Sequence, residues 1–263
     1  MHTLHDANPL VKLKKYTPLM EELVKRDLKV KYRRSFLGYL WSLLNPLLML
    51  CVMSFVFSTM FEATISNFPL YLICGQTLWN FFNDATNQAM HSILQNGALL
   101  KKVYIPKFIF PLARVLSSFV TMSFSLVAIL IVMLFTRAHI YWTILLFWVP
   151  LVFLFLFCCG IGLVLSALAV YFRDVTHLYG VVTLAWMYIT PIFYDISRLP
   201  EFVRSVIGLN PMYHFITFFR DLILYGVIPG MDTWLACGGC SVAILGIGLF
   251  VFHKLQKNFI LHI

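Results

Sequence analysis

A basic amphipathic stretch, KKYTPLMEELVKRDLKVKYRRS (14–35), runs without a break into an apolar one, FLGYLWSLLNPLLMLCVMSFVFSTMF (36–61). The first is too charged to enter hydrocarbon, and the second is too long and apolar to stay out of it. A helix lying on a membrane surface therefore turns into a helix that crosses it. Lys and Arg at such a junction are retained on the cytoplasmic side, which sets the starting side. With 60% hydrophobic and 12% charged residues, the 263-residue chain is one polytopic membrane unit and not a soluble domain.

The net charge of +9 does not point to nucleic acid, because of where it sits. Lys12, Lys14, Lys15, Lys25, Arg26, Lys29, Lys31, Arg33 and Arg34 all precede the first apolar run. Beside a span they are placed for anionic lipid headgroups or an anionic substrate. The first thirty-odd residues lack a short apolar core with a small-residue cleavage site, so no secretory signal peptide is expected. The six cysteines fall in apolar stretches, where a thiol acts as a small hydrophobe, and no disulfide is expected. Cys237 and Cys240 spell C-G-G-C at the start of a span, where small residues let helices pack closely; a redox motif would open a helix in a soluble α/β domain.

Thr17 and Pro18 read as an N-cap and first helical residue, with Glu21 and Glu22 following and Met20, Leu23, Val24 and Leu28 on one face. An interfacial helix over 17–31 and a basic junction to 34 are expected. Six crossings follow, at 36–61, 68–91, 108–135, 141–171, 176–194 and 233–253. Starting inside, this order leaves both termini cytoplasmic. Lys101, Lys102, Lys107, Arg173, Lys254 and Lys257 then join the inner side, against an outer minority of Arg137, Arg198, Arg204 and Arg220. The expected fold is an all-α polytopic membrane protein with six transmembrane helices, the N-terminal interfacial helix, and short re-entrant helices outside.

Two connectors are more than tethers. ILQNGALLKKVYIPK (93–107) is a short inner link whose Ala98, Leu99, Leu100, Val103 and Tyr104 imply docking against something. Residues 195–232 hold two short helical patterns, opening near Pro200 and Pro211, with Met212, Phe215, Phe219, Leu222 and Ile223 on one stripe. Neither is long enough to span. Such segments are tolerated when protein or water covers their backbone ends.

Asn80, Asn83, Asp84, Asn87, Gln88 and His91 draw a polar stripe down one face of the second span. Facing lipid, each would be unpaired and costly. Interhelical hydrogen bonds would satisfy them, and so would the cytoplasmic wall of a conduit for a hydrophilic solute. Aromatic residues, 16% of the chain, include Trp41, Trp79, Phe81, Phe82, Trp186, Tyr188, Phe193 and Tyr194 near span ends. An interfacial belt accounts for such rings, and a sugar track is the alternative. No G-x-x-x-x-G-K-[ST] is present, so a P-loop nucleotide site is not expected. The eight histidines show no metal-ligand spacing, and no catalytic carboxylate pair stands out.

LVKRDLKVKYRRSFLGYLW (23–41) with Asn45-Pro46, KKVYIPK (101–107), YFRD (171–174), TPIFY (190–194) and NPMY (210–213) occur in this order along nearly the whole chain. Together they resemble the transmembrane subunits of ABC-2 type exporters that move lipid-linked polysaccharides, such as O-antigen and teichoic-acid permeases. The resemblance implies a homodimer with two separate ATP-binding cassette subunits, which would hold ATP and Mg; no cofactor or metal is implied on this chain. It implies that 96–107 is a coupling helix, so that Leu23, Asn96, Ala98, Leu99, Leu100, Lys101, Lys102, Val103 and Tyr104 would meet the ATPase subunit. The substrate would be similar to a polyprenyl diphosphate carrying a glycan, its diphosphate held by Lys29, Lys31, Arg33 and Arg34. Tyr39, Trp41, Asn80, Asn83, Asp84, Asn87, Trp186, Tyr188 and Tyr194 are the candidates for the channel lining. Membrane lipids are the other expected partners.

Three other readings fit less well. A membrane enzyme acting on lipid-linked sugars needs a carboxylate or histidine constellation at one face, and none is found. A secondary transporter usually carries internal repeats, which this chain does not display. An ABC-2 exporter of a drug or small lipid would favour a more uniformly apolar cavity than the polar stripe allows.

Overall fold

Hydrocarbon offers no partner to a backbone N–H or C=O, so a chain this apolar closes its hydrogen bonds within helices. In the computed structural model, every element among the described residues is helical. The structure describes residues 9–33, 37–61, 65, 67–103 and 105–259, with the backbone alone for 9–15, 32, 57–61 and 198. Ten α-helices carry it. They are α1 Pro9–Tyr32, α2 Leu40–Phe61, α3 Phe68–Gln95, α4 Gly97–Lys102, α5 Ile109–Phe135, α6 Trp148–Tyr171, α7 Val175–Ile189, α8 Glu201–Gly208, α9 Pro211–Arg220 and α10 Met231–Leu255.

Three stretches are long and apolar enough to cross a membrane by length and composition: Ile109–Phe135, Trp142–Tyr171 and Met231–Asn258. Leu40–Val56 and Val175–Ile189 are shorter apolar helices. At 28 residues, about 42 Å, α3 has the length. Its polar stripe keeps it from reading as uniformly apolar.

One expectation fails at the N-terminus. The interfacial helix does not open at Thr17; α1 begins at Pro9 and carries Pro18 inside it. Proline removes one ladder bond there. The helix persists because Leu19, Met20 and Leu23, just past the proline, pack into an apolar cluster. Its junction with α2 is a turn at residues 37–39, where Gly38 takes φ +50.

The helices assemble around α3, which packs against α2, α5, α6, α7 and α9. Its first half is buried all round, from Leu70 to Trp79, and Phe82 below it meets Phe157 and Trp186 edge or tilted. A second apolar cluster sits at the α4 end, joining Leu23, Ile93, Leu100, Phe110, Leu163 and Phe252. α1 and the C-terminal turn at Phe259 both enter this cluster, so they share one end of the bundle with α4.

Gly160 of α6 and Gly248 of α10 let those helices touch backbone to backbone: a Cβ on either would collide with the other helix's main chain. Ser241 Oγ adds a bond to Phe153 O at 2.7 Å. C-G-G-C is not the point of closest approach. Cys237 is buried, but Gly239 faces open space. The six cysteines are free.

At the opposite end, α7 stops at Ile189 and the chain turns irregular. Asn210 caps α9 through Met212 N (3.0 Å), donates to Thr190 Oγ1 (2.9 Å) and accepts from Trp186 Nε1 (2.8 Å). The TPIFY and NPMY segments are thereby one hydrogen-bonded unit. Arg220, expected among outer loop charges, is instead buried at 3% exposure. Its guanidinium donates to Tyr71 O (3.0 and 3.1 Å), Pro191 O (2.8 Å) and Ile192 O (3.0 Å), and lies 3.3 Å from the centre of the Tyr71 ring. The carbonyls that α7 leaves open draw the charge inward. After the π-turn Asp221–Tyr225, Gly226 takes φ +66 against the Tyr141 ring, a place with no room for a side chain.

Gly248→Val should lower the thermal midpoint of the purified chain, with overpacking worth about 1–3 kcal/mol or more. Gly239→Val, in open space, should leave it within error; tryptophan fluorescence on heating in detergent measures both.

Candidate functional site

The polar stripe of α3 does not face lipid alone. Helices α2, α3 and α5 enclose a groove of about 470 Å³ lined by Lys31, Trp41, Asn45, Gln76, Asn80 and Asp84, with Ser118, Thr121 and Ser125 opposite. The three hydroxyls on α5 recur at helical spacing, which turns a second stripe toward the first. Ser125 Oγ donates to Ser42 O (3.0 Å), and Thr121 Oγ1 to Ser117 O (3.0 Å). Gln76 Oε1 and Thr77 Oγ1 are buried in this wall and find no protein partner. A donor approaching along the groove would complete them.

Asp84 sits at the groove's foot. Its Oδ2 pairs with Lys31 Nζ (3.2 Å) and accepts from Ser118 Oγ (3.1 Å), while Oδ1 accepts from Gln88 Nε2 (2.8 Å). Lys31 and Asp84 are each 39% exposed, so this is a solvated pair worth roughly 1 kcal/mol or less. Below it lies a smaller hollow of about 230 Å³ that shares Lys31 and Thr121 and adds Asp27, Gln88 and Arg114.

Asp27 and Arg114 form the site's most buried charge pair. Arg114 Nη1 stands 3.2 Å from Asp27 Oδ2, an ion pair by distance and not an aligned hydrogen bond. Arg26 binds Asp27 Oδ1 from Nε (3.3 Å) and Nη2 (3.2 Å). These groups also reach the α4 segment. Arg26 Nη1 donates to Asn96 Oδ1 (3.3 Å), and Arg114 Nη2 to Gln95 Oε1 (2.9 Å). Helices α1 and α5 and the loop before α4 are thus tied by side chains.

The six-residue α4 forms a foot. Ala98, Lys101, Lys102 and Val103 are exposed and Leu99 half-buried. Leu23, Asn96 and Leu100, expected at a partner interface, turn inward: Leu23 and Leu100 are 6% and 7% exposed, and Asn96 is held by Arg26 and Ser92 O. In this chain they brace the foot. Tyr104 lies outside the described residues. Behind the foot, Lys107 Nζ donates to Gln256 O (2.5 Å) above the Phe259 ring, and burial pulls its ammonium below the ordinary lysine range.

Of the four basic residues expected to hold a diphosphate, Lys29, Lys31 and Arg33 are exposed at the end of α1, and Lys31 reaches the groove. Arg34 lies outside the described residues. Of the channel candidates, Trp41, Asn80 and Asp84 come together in the groove. Asn87 Nδ2 bonds Asn83 Oδ1 (2.8 Å) beside it. Tyr39 lines an apolar surface hollow against Phe124 instead. Trp186 and Tyr194 are bound into the fold, Tyr194 through Ile189 O (2.8 Å), and Tyr188 is exposed on α7. The Asp27–Arg114 pair and the α5 hydroxyls were missed. Serine and threonine spaced by three and four at Ser118, Thr121 and Ser125 were the available signal for the second.

A model of the ABC-2 type transporter family matches residues 19–224, which span the groove, the foot and the short helices α8 and α9. The chain is 29% identical over 249 residues to the O-antigen export system permease protein RfbA of Myxococcus xanthus, covering 94% of this chain and 96% of that protein. It is 30% identical over 247 residues to RfbA of Klebsiella pneumoniae, covering 92% and 93%. With the capsule polysaccharide export inner-membrane protein CtrC of Neisseria meningitidis it shares 24% over 267 residues, 98% of each.

Arg114→Met leaves Asp27 buried beside Arg26 alone and should cost about 3 kcal/mol in denaturant unfolding. Adding Asp27→Leu removes the stranded charge and should recover most of that loss.

Proposed function

The chain belongs to the ABC-2 type transporter family, and on that premise we propose that it is the permease subunit of an ATP-driven polysaccharide exporter in the bacterial cytoplasmic membrane. Relatives named for O-antigen and capsule polysaccharide export support the substrate class. The working unit is two copies of this chain with two ATP-binding cassette subunits, which hold ATP and Mg. Six crossings, α2, α3, α5, α6, α7 and α10, leave both termini cytoplasmic. The bare apolar faces of α2 and α7, among them Val52, Phe55, Val181 and Tyr188, support a second copy or lipid against them.

The carrier is a polyprenyl diphosphate, met at the inner leaflet by Lys29, Lys31, Arg33 and Arg34, where guanidinium and ammonium groups favour phosphate. When the cassettes close, they press on the exposed face of the foot at Ala98, Leu99, Lys101, Lys102 and Val103, and Tyr104 completes the proposed contact. Asn96 holds Arg26 and Gln95 holds Arg114, so α1 and α5 move with the foot. α2 and α7 of the two copies part, and the glycan follows the groove of Asn80, Gln76 and Thr77, whose uncharged polar atoms suit sugar hydroxyls. α8 and α9 shape the exit. The observation that carries this reading is the side-chain link from the foot to α1, at the mouth of a polar groove inside an apolar bundle.

Replacing Arg33 and Arg34 together with Gln should lower surface polysaccharide by about tenfold or more, while membrane insertion and co-purification with the ATPase subunit persist. Val103→Asp should instead abolish co-purification. Wild-type export by the double variant would remove the diphosphate site. ATP hydrolysis by the purified chain alone would overturn the whole reading.

A further inference from the structure

Asp84 lines the groove, and its surroundings add a second feature to that position. The larger groove and the smaller hollow beneath it share Lys31 and Thr121. Between the two stand the Lys31–Asp84 pair at 3.2 Å and the Gln88 and Ser118 bonds that hold Asp84 in place. The lower hollow opens beside the basic end of α1. The upper one leads to the buried, unpartnered Gln76 Oε1 and Thr77 Oγ1. Lys31 is thus the charged residue common to both hollows, and it is paired with Asp84 of the larger one.

We propose that Asp84 is an internal anion that keeps the neck between the two hollows closed by holding Lys31, and that a ligand phosphate opens it by taking Lys31 in Asp84's place. The exchange is chemically even-handed. Lys31 trades a carboxylate oxygen for a phosphate oxygen, so no cation is stranded. Asp84 keeps its bonds from Ser118 and Gln88, so no carboxylate is stranded either. A half-exposed pair is weak enough for such a swap, and a phosphate bearing more charge than a carboxylate competes well for an ammonium. The ligand's identity rests on the diphosphate reading of the basic junction; the neck itself does not.

The test uses Thr77→Cys in the full chain with its ATPase partner, in vesicles whose foot side faces out. A charged methanethiosulfonate reagent is added, and labelling of position 77 is read by peptide mass spectrometry, so native cysteines do not interfere. Adding Asp84→Asn or Lys31→Gln should speed labelling about fivefold or more. The charge swap Lys31→Asp with Asp84→Lys should restore the slow rate, which separates a lost gate from a damaged fold. Farnesyl diphosphate should speed labelling in the chain with native Lys31 and Asp84, and do nothing further in the Lys31→Gln chain. Unchanged slow labelling in both single variants would overturn the neck. If those variants label fast but farnesyl diphosphate leaves the native pair closed, displacement by phosphate is wrong; the diphosphate reading of the junction is decided separately, by export in the Arg33 and Arg34 double variant.

Discussion

Inside a bilayer nothing but the protein can answer a polar group, and this one requirement orders the molecule. It drives the chain into helices, and it becomes most exacting where a helix stops inside the bundle. α7 stops at Ile189, leaving Pro191 and Ile192 with carbonyls and no helix to receive them. Arg220 answers them and the Tyr71 carbonyl with one guanidinium. An isolated buried charge is costly, but here carbonyl dipoles and the face of Tyr71 surround it. The absence of a side chain at Gly75 makes the room: a Cβ there would meet Arg220 Nη2 at 2.6 Å. The irregular end after α7 is therefore as firmly closed as the helices.

The same requirement treats the foot end differently. There, charges are paired with one another and only partly withdrawn from water. Asp27, Arg26 and Arg114 form a chain that touches α1, α5 and, through Asn96 and Gln95, the connection into α4. Beneath them Leu23, Leu100 and Phe110 pack in one apolar cluster. A segment fixed by both apolar contacts and directional bonds moves as a body and does not bend locally. Pushing the foot without moving α1 would break the Arg26–Asn96 bond and draw Leu23 away from Leu100 in their cluster, whereas moving them together breaks neither.

How much of this was legible depended on how local each signal was. The apolar runs of α5, α6 and α10 were plain because length and hydropathy are properties of a contiguous stretch. The foot was legible for the same reason: Leu99, Leu100 and Val103 are out of place in a tether. The helix start at Pro9 was not, since Thr17-Pro18 imitates a cap and only packing beyond the proline decides otherwise. Arg220 was misplaced because its partners are 149 and 28 residues away, at Tyr71 and Ile192. A charge beside an apolar stripe reads as a loop charge until the carbonyls it answers are known. Asp27 and Arg114 were invisible as a pair for that reason, and the α5 hydroxyls because serine and threonine scarcely disturb hydropathy.

Most of the places where hydrogen bonding is left incomplete border the two hollows, Ser54 of α2 being the exception. Among the described residues, the buried side-chain atoms without a hydrogen-bond partner belong to Asp27, Ser54, Gln76 and Thr77. Gln76 and Thr77 border the larger groove, and Asp27 the hollow below it. Lower on the same helix the polar groups are spent, Asn87 on Asn83 within α3 and Asp84 and Gln88 on Ser118 of α5. Each unspent group costs stability that an apolar residue in its place would not. A fold that answers three carbonyls with Arg220 at one end, yet leaves Gln76 and Thr77 unanswered midway, keeps its open valences along one line. That line begins at the basic end of α1, passes the Lys31–Asp84 pair, and runs up between α2, α3 and α5, where a chain of hydroxyls could do what lipid cannot.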